Sequence, residues 1–255
     1  MLLAIDVGNT NTVFALHDGR ETVAEWRCRT ERQRTADEYF VWLSQLMENA
    51  GVRPEVRSVV VSSVVPQVVF NLRILSDRYF HTRPKVVGKP DVRLGVPVRV
   101  DPTALVGADR LVNTVGAYDR YGGDLIVVDF GTATTFDVVG GDGAYEGGVI
   151  APGVNLSLKA LHDAAAALPF IDVTRPDHVV GTNTVACMQA GIYWGYVGLI
   201  EGLCARIRAE RAAPMKVIGT GGLSTLFAQG TDALEVIDPD LTIHGLVLID
   251  ALNRE

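Results

Sequence analysis

The sequence predicts an α/β protein made of two similar halves, each with a mixed sheet flanked by helices. The main observation is a short motif that occurs twice, as DVGNTNTVF at residues 6–14 and as DFGTATTF at residues 129–136. Each copy follows one apolar run and precedes another, a pattern that predicts a strand, a tight turn and a returning strand. The repeat therefore indicates a duplicated domain.

The first half opens with strands and then alternates helices with strands. Apolar and β-branched runs predict strands at 2–5, 12–16, 23–27, 58–61 and 85–87, and helices at 35–50, 68–79 and 103–121. The first helix begins at a capping box formed by Thr35 and Glu38. Gly122 and Gly123 end the third helix, so we place the boundary between domains 1–118 and 119–255 just before them.

The second half repeats this order. We expect strands at 125–128, 135–139, 145–150 and 215–218, and helices at 155–167, after Thr184, and after the turn at 220–222. Halves that begin with strands and add helices later resemble a duplicated ribonuclease-H-like unit.

Composition excludes several functional classes. The 255 residues carry a net charge of −7 and contain no Lys/Arg-dense run, which argues against a nucleic-acid partner. Polar residues and a proline interrupt the strongest apolar run, 59–70, so we expect no membrane span. Cys28, Cys187 and Cys204 form no CxxC pair, which indicates buried thiols in a reducing compartment. Together these features predict a soluble cytoplasmic protein.

The two turns are the candidate anion site, because the chain contains neither GxxxxGK[ST] nor GxGxxG after a strand. Glycine lets the backbone approach a ligand closely, and free turn N–H groups suit a phosphate. Thr10, Asn11 and Thr12 would then cradle phosphates, and Asp6, at a strand end, would hold Mg²⁺. The alternative is an ordinary hairpin with a turn-capping aspartate; the repeat at Asp129 favours the nucleotide.

Two further patterns are a candidate catalytic pair and a candidate helix-packing surface. Asp109 and Arg110 follow Gly107 at a helix start, where they are either simple capping residues or the base and clamp of a phosphoryl-transfer site. Glycines at spacings of four, three and four also mark one face of the helix after Thr184; they are Gly191, Gly195, Gly198 and Gly202. This stripe predicts close helix packing, within one chain or across a dimer axis.

With these motifs in hand, the chain resembles the type III pantothenate kinases, of the acetate and sugar kinase/Hsp70/actin superfamily. The resemblance runs nearly end to end and is specific because the motifs occur together and in order. They are DVGNTNT at 6–12, SSVVP at 62–66, GADRLVN at 107–113, DFGTATTFD at 129–137, GGVIAPG at 147–153, GTNTVACMQAGIYWGYVG at 181–198 and TGGL at 220–223.

The resemblance implies ATP-dependent phosphorylation of pantothenate to 4′-phosphopantothenate, the first step towards coenzyme A, with the nucleotide in a cleft between two actin-like ATPase domains. The implied ATP-binding residues are Asp6, Val7, Gly8, Asn9, Thr10, Asn11, Thr12, Val13 and Thr132. The implied pantothenate-binding residues are Val100, Gly107, Ala108, Asp109, Arg110 and Thr184. Asp109 would be the general base, Asp6 would hold Mg²⁺, and Asp129 would hold a monovalent cation, K⁺ or NH₄⁺. Thr184 would reach pantothenate from the neighbouring protomer of a homodimer.

One departure and two alternatives accompany this interpretation. Val100 stands where many members of the family have an aromatic residue; an aliphatic side chain can still line an apolar pocket, but it cannot supply a hydroxyl contact to the substrate. A different small-molecule kinase of the same superfamily and a non-catalytic regulator with the same fold are the alternatives. Asp6, Asp109, Arg110 and Asp129 are all present, which favours an enzyme.

Overall fold

The computed structural model describes residues 1–165 and 168–254. The chain forms two compact units. The first contains residues 1–97, 101–119 and the chain from 241 onward, and the second contains 98–100 and 120–240. Each unit holds a five-stranded mixed sheet with helices beside it, so the predicted α/β class is confirmed.

The first unit begins with an antiparallel β-meander. Its elements before residue 122 are β1 (Leu2–Val7), β2 (Asn11–His17), β3 (Thr22–Arg29), α1 (Ala36–Asn49), β4 (Ser58–Ser63), α2 (Pro66–Tyr79), β5 (Lys85–Val86) and α3 (Ala108–Tyr121). The sheet order is β3-β2-β1-β4-β5, and β4 and β5 run parallel to β1. The central strand β1 thus has neighbours on both sides, which is why residues 2–5 are all buried.

The start of α1 confirms the predicted capping box. The Glu38 N–H donates to Thr35 Oγ1 at 3.3 Å, and the Thr35 N–H donates to Glu38 Oε2 at 2.7 Å. Tyr39 and Leu43 then turn inward and are fully buried against the sheet. Local sequence and packing agree here, so the helix could be predicted closely.

The start of α3 was predicted too early. The helix begins at Ala108 and not at Thr103. Asp101 closes a turn instead, since its Oδ1 accepts both the Thr103 N–H at 2.8 Å and the Thr103 hydroxyl at 2.6 Å. A short polar side chain that satisfies nearby backbone groups competes with a helix, and the turn prevails here.

The second unit repeats the topology of the first. Its elements are β6 (Leu125–Phe130), β7 (Ala133–Val139), β8 (Tyr145–Pro152), α4 (Val154–Ala164), α5 (Thr184–Arg211), β9 (Lys216–Gly221), α6 (Ser224–Ala228) and β10 (Val236–Ile237). The sheet order β10-β9-β6-β7-β8 matches that of the first unit, with β6 in the place of β1. The predicted helix at 155–167 ends at Ala164, and residues 166 and 167 lie outside the described part of the chain.

The last helix, α7 (Leu241–Leu252), belongs to the first unit although it follows the second in sequence. Ile243, Leu246 and Ile249 share a core with strands β1 and β4. The approach to α3 is close, because a Cβ on Gly245 would lie 2.2 Å from the Val112 carbonyl oxygen. The units therefore divide the chain differently from the predicted domains, whose boundary at residue 118 stays a prediction.

Three of the four glycines of the stripe on α5 have no packing role within the described chain. Gly191, Gly195 and Gly198 are exposed, and nothing lies within 4 Å of the place where a Cβ would stand on any of them. Packing inside one chain, one of the two predicted explanations, is therefore wrong for these three positions.

The three cysteines are free, but only Cys204 is buried; Cys28 is half-buried and Cys187 is exposed, so the prediction of buried thiols holds in part. None of the described helices is both long and apolar enough to cross a membrane.

Candidate functional site

The first turn presents a short row of exposed residues between two buried strands. Its end is closed by a hydrogen bond from the Gly8 N–H to the Asn11 carbonyl oxygen at 3.0 Å. Asn9, Thr10 and Asn11 are exposed, whereas the side chains of Val7 and Thr12 are buried. Val13 is half-buried on β2. The backbone and side chains of residues 9–11 are thus the part of the turn that a ligand can reach.

Asp6 stands near the carboxyl end of β1, opposite Ser62 on the parallel strand β4. The residue is partly exposed, but its Oδ1 atom is buried and makes no hydrogen bond within the described residues. Burial raises the pKa of Asp6 from 3.8 to about 7, and the nearby charge of Asp109 adds to the rise. The Ser62 hydroxyl and the charge of Arg27 oppose this rise in part.

Asp109 lies in the first turn of α3 and turns its carboxylate back over the helix start. Its Oδ1 accepts the N–H of Arg110 at 2.8 Å. Burial raises the pKa of Asp109, and this backbone hydrogen bond and the charge of Arg110 oppose the rise. Gly107 leaves room for the carboxylate, because a Cβ there would lie 2.5 Å from Asp109 Oδ1. Ala108 between them is buried.

The first unit therefore brings two carboxylates with raised pKa values together beside an open turn. No group of three or more His, Cys, Asp or Glu side chains fit to hold a metal occurs among the described residues. Mg²⁺ commonly takes only one or two carboxylates and completes its shell with phosphate oxygens and water. The Oδ1 atom of Asp6 fits such an ion, because it is a hard oxygen donor that is buried and makes no hydrogen bond within the described residues.

The second turn, in the second unit, also places a glycine two residues after an aspartate, but it is one residue shorter than the first. The Gly131 N–H donates to the Ala133 carbonyl at 3.0 Å, and the Gly153 N–H donates to the Thr132 carbonyl at 3.1 Å. Asp129, near the end of β6, faces Gly221 of β9, where a Cβ would lie 2.6 Å from Asp129 Oδ1. Gly221 has φ +86°, so both its backbone and its neighbour require glycine.

Val100 and Thr184 also lie in the second unit. Val100 is half-buried and follows Arg99, whose N–H donates to the Tyr145 carbonyl at 2.8 Å and whose guanidinium lies 3.3 Å from Glu146. Thr184 is exposed and is the first residue of α5. The structure thus groups Asp6, the first turn and residues 107–110 within one unit. The contributions of Thr132, Asp129, Val100 and Thr184 to the same site stay predictions.

Sequence reasoning assigned no role to two residues that touch this site. Ser62 belongs to the SSVVP motif, but its place opposite Asp6 depends on strand register. Thr30 contacts the first turn from the end of β3, through hydrogen bonds to Gly8 and Thr10. Both contacts join residues that are far apart in sequence, and no local pattern reports them.

Two mixed sheets of one topology, each flanked by helices, form the two-domain architecture of sugar kinases and actin-like ATPases. The polyphosphate/ATP-glucomannokinase of Arthrobacter sp. strain KM has a similar fold (TM-score 0.53, 16% identity, 99% of each chain covered). A Baf family transcriptional activator from Campylobacter jejuni is similar as well (TM-score 0.62, 19% identity, 98% of each chain covered). At these identities the likeness concerns the fold alone.

Sequence comparison defines the family more narrowly. The model of type III pantothenate kinases matches residues 2–206. A type III pantothenate kinase of Dinoroseobacter shibae is 65% identical over the whole length of both chains. The chain belongs to the type III pantothenate kinase family.

Proposed function

We propose that this protein transfers the γ-phosphoryl group of ATP to the primary hydroxyl of pantothenate, giving 4′-phosphopantothenate and ADP. The observation that carries the proposal is the carboxylate of Asp109, close enough to Asp6 to help raise its pKa, with Asp6 on the strand that leads into the open turn at residues 9–11. Family membership supplies the acceptor, because the related proteins are named for pantothenate.

Asp109 is the general base of the proposed reaction. The hydroxyl oxygen of pantothenate bonds to the γ-phosphorus, the bond from that phosphorus to the β,γ-bridging oxygen breaks, and the hydroxyl proton passes to Asp109. Burial raises the pKa of this carboxyl, which makes it a stronger proton acceptor than an exposed aspartate. Arg110 next to it supplies a fixed positive charge for the acceptor and the developing negative charge.

Asp6 is the proposed Mg²⁺ ligand, directly or through water. When bound, the ion supplies charge neutralisation between the ATP phosphates and the two carboxylates. Asp6 contributes an oxygen whose position is fixed by the strand pairing on both sides of β1. The exposed N–H groups of the first turn orient the phosphate chain next to it.

Asp129 is the proposed monovalent-cation ligand, with K⁺ or NH₄⁺ as the cation. Asp129 suits such a cation because its carboxylate is an oxygen donor near the end of a strand and because Gly221, which faces it, has no side chain. Thr132 in the adjacent turn is the proposed second nucleotide contact.

We further propose that the protein works in the cytoplasm, consistent with its free cysteines and with the absence of a membrane-spanning helix among the described residues.

We also propose a homodimer in which Thr184 reaches the pantothenate site of the partner. The exposed glycine stripe on α5 supports this assembly, because three consecutive stripe positions leave a smooth surface where another helix backbone can approach. In an interior helix turn each glycine costs about 1 kcal/mol relative to alanine, so an exposed stripe needs a compensating contact.

The double variant Gly195→Ala/Gly198→Ala should separate helix stability from assembly. On an isolated helix the two alanines would raise helix stability by about 2 kcal/mol in total. In the dimer their methyl groups would hold the helices apart, so we expect dissociation at concentrations where the wild type is dimeric, together with a higher KM for pantothenate. Sedimentation over a concentration series and steady-state kinetics measure the two effects. A variant as dimeric as the wild type would contradict the proposed interface.

The reaction is tested by coupled ADP release with purified protein, ATP and Mg²⁺, with and without pantothenate, in K⁺ and in tetramethylammonium salts. We expect ADP release that depends on pantothenate and falls at least tenfold when K⁺ is replaced. Equal rates in both salts would remove the cation role of Asp129. ADP release that pantothenate does not stimulate would favour a different small-molecule kinase of the same superfamily, with another acceptor. No ADP release with any acceptor would favour the non-catalytic regulator.

A further inference from the structure

The residue that follows the third strand closes the turn in both units. In the first unit the Thr30 N–H donates to the Thr10 carbonyl at 2.9 Å, and in the second the Gly153 N–H donates to the Thr132 carbonyl at 3.1 Å. Thr30 comes directly after β3 and Gly153 directly after β8. The two residues therefore occupy equivalent positions in the duplicated hairpins.

The two positions differ in what they add to this shared hydrogen bond. A Cβ on Gly153 would lie 2.1 Å from the Thr132 carbonyl oxygen, so the second turn rests directly on the backbone there. The first turn has room for a side chain, and Thr30 Oγ1 donates to the Gly8 carbonyl at 2.8 Å. Thr30 thus binds both the Gly8 and the Thr10 carbonyl of the turn.

The hydrogen bond from Thr30 to Gly8 fixes the direction of a third hydrogen bond, between Thr30 and Thr12. Thr30 Oγ1 lies 2.9 Å from Oγ1 of the buried Thr12. The single hydroxyl proton of Thr30 is used toward Gly8, so Thr12 must be the donor in this pair. The Thr12 hydroxyl is therefore committed to Thr30, and it helps to hold the Thr30 side chain in place.

We propose that Thr30 is a positioning residue for the phosphate-binding turn, an inference that rests on the proposed function of that turn. In a trans peptide the carbonyl and the following N–H point in opposite directions. With the Gly8 and Thr10 carbonyls held toward Thr30, the N–H groups of Asn9 and Asn11 are directed away from it. Thr30 keeps these donors oriented for the phosphate chain before ATP binds.

The test compares Thr30→Val, which keeps the shape and loses the hydroxyl, with Thr30→Ser, which keeps the hydroxyl. Thr22→Val at the other end of β3 is the matched control. Binding of Mg²⁺ and the non-hydrolysable analogue adenylyl imidodiphosphate is measured by calorimetry, and the KM values for ATP and pantothenate by steady-state kinetics. Thermal unfolding confirms that each variant is folded at the assay temperature.

We expect Thr30→Val to raise the dissociation constant of the analogue and the KM for ATP about tenfold or more, because the Gly8 carbonyl and the Thr12 hydroxyl both lose a partner. The KM for pantothenate should change less than twofold, and Thr30→Ser and Thr22→Val should bind the analogue like the wild type. Normal analogue binding by a folded Thr30→Val variant would overturn the positioning role, as would a Thr30→Ser variant as weak as Thr30→Val.

The same experiment separates this inference from the proposed function. If the wild type binds the analogue but does not phosphorylate pantothenate, only the proposed acceptor is wrong, and the comparison of Thr30 variants still decides the role of the hydroxyl. If the wild type does not bind the analogue, both the nucleotide site and the positioning role are overturned.

Discussion

Replacing Asp109 by Asn is expected to lower kcat about 100-fold or more while ATP remains bound. Asparagine keeps the shape of the side chain and can still accept the hydrogen bond from the Arg110 N–H, but it cannot take the proton of the acceptor hydroxyl. The dissociation constant of an ATP analogue should stay within about threefold of the wild-type value. Single-turnover kinetics and calorimetry measure the two quantities separately.

Asp119→Asn is the matched control for this substitution. Asp119 lies on the same helix, is half-exposed and pairs with His244 at 2.8 Å, far along α3 from the turn that carries Asp109. It should leave kcat unchanged, because surface ion pairs contribute little. An Asp109→Asn variant with near-wild-type kcat would remove Asp109 as the base and return Asp109 and Arg110 to the capping interpretation.

Replacing Asp6 by Asn is expected to abolish Mg²⁺-dependent turnover and, in the absence of ligands, to stabilise the protein at pH 8. The folded state raises the pKa of Asp6 from 3.8 to about 7. Between these values the unfolded chain is ionised while the folded protein holds a proton, so wild-type stability falls as pH rises from about 4 to 7. Asparagine does not titrate, so the Asp6→Asn variant lacks this contribution to the pH dependence of stability.

The expected size of this stabilisation follows from the rise in the pKa of Asp6 from 3.8 to about 7, which corresponds to a free energy of about 4 kcal/mol at most. We expect Asp6→Asn to exceed the wild type in free energy of unfolding by about 2–4 kcal/mol at pH 8 and by little or nothing at pH 4. Urea unfolding at a series of pH values measures the difference. A difference that stays constant with pH would contradict the raised pKa.

Asp18→Asn provides a control with the opposite sign. Asp18 lies in an exposed turn, and the N–H groups of Glu21 and Arg20 hold its pKa below the usual value. That carboxylate contributes stability above its unfolded pKa, and the contribution is lost as the pH falls through the lower folded value. Asp18→Asn should therefore be less stable than the wild type at neutral pH and equal to it in acid.

Most of the fold could be predicted because its signals are local. Alternating and β-branched runs indicate strands, the capping box at Thr35 indicates a helix start, and the repeated turns indicate the duplication. The start of α3 could not be predicted in the same way, because Asp101 captures the backbone of Thr103 in competition with the helix. No helix was predicted for α7, and its place in the first unit depends on a core shared with strands far away in sequence.

The residues of the candidate site divide in the same way, into those that local sequence indicates and those whose roles depend on tertiary contacts. Asp6 and Asp109 could be selected from sequence, because each lies two residues from a glycine, Asp6 after a predicted strand and Asp109 in the first turns of a predicted helix. Ser62 and Thr30 could not, since their contacts depend on which strands are neighbours and in what register. The burial that raises the pKa of Asp6 is likewise a property of the packed sheet and has no counterpart in the motif.

The membership of α7 in the first unit has a consequence for folding during synthesis. A ribosome that has made residues 1–119 has made every strand of the first sheet, but not the helix whose Ile243, Leu246 and Ile249 cover part of its core. The second unit, at 98–100 and 120–240, is complete in the nascent chain before that helix exists. The unit that is begun first is thus finished last, and its uncovered apolar face is a natural site for chaperone binding in the interval.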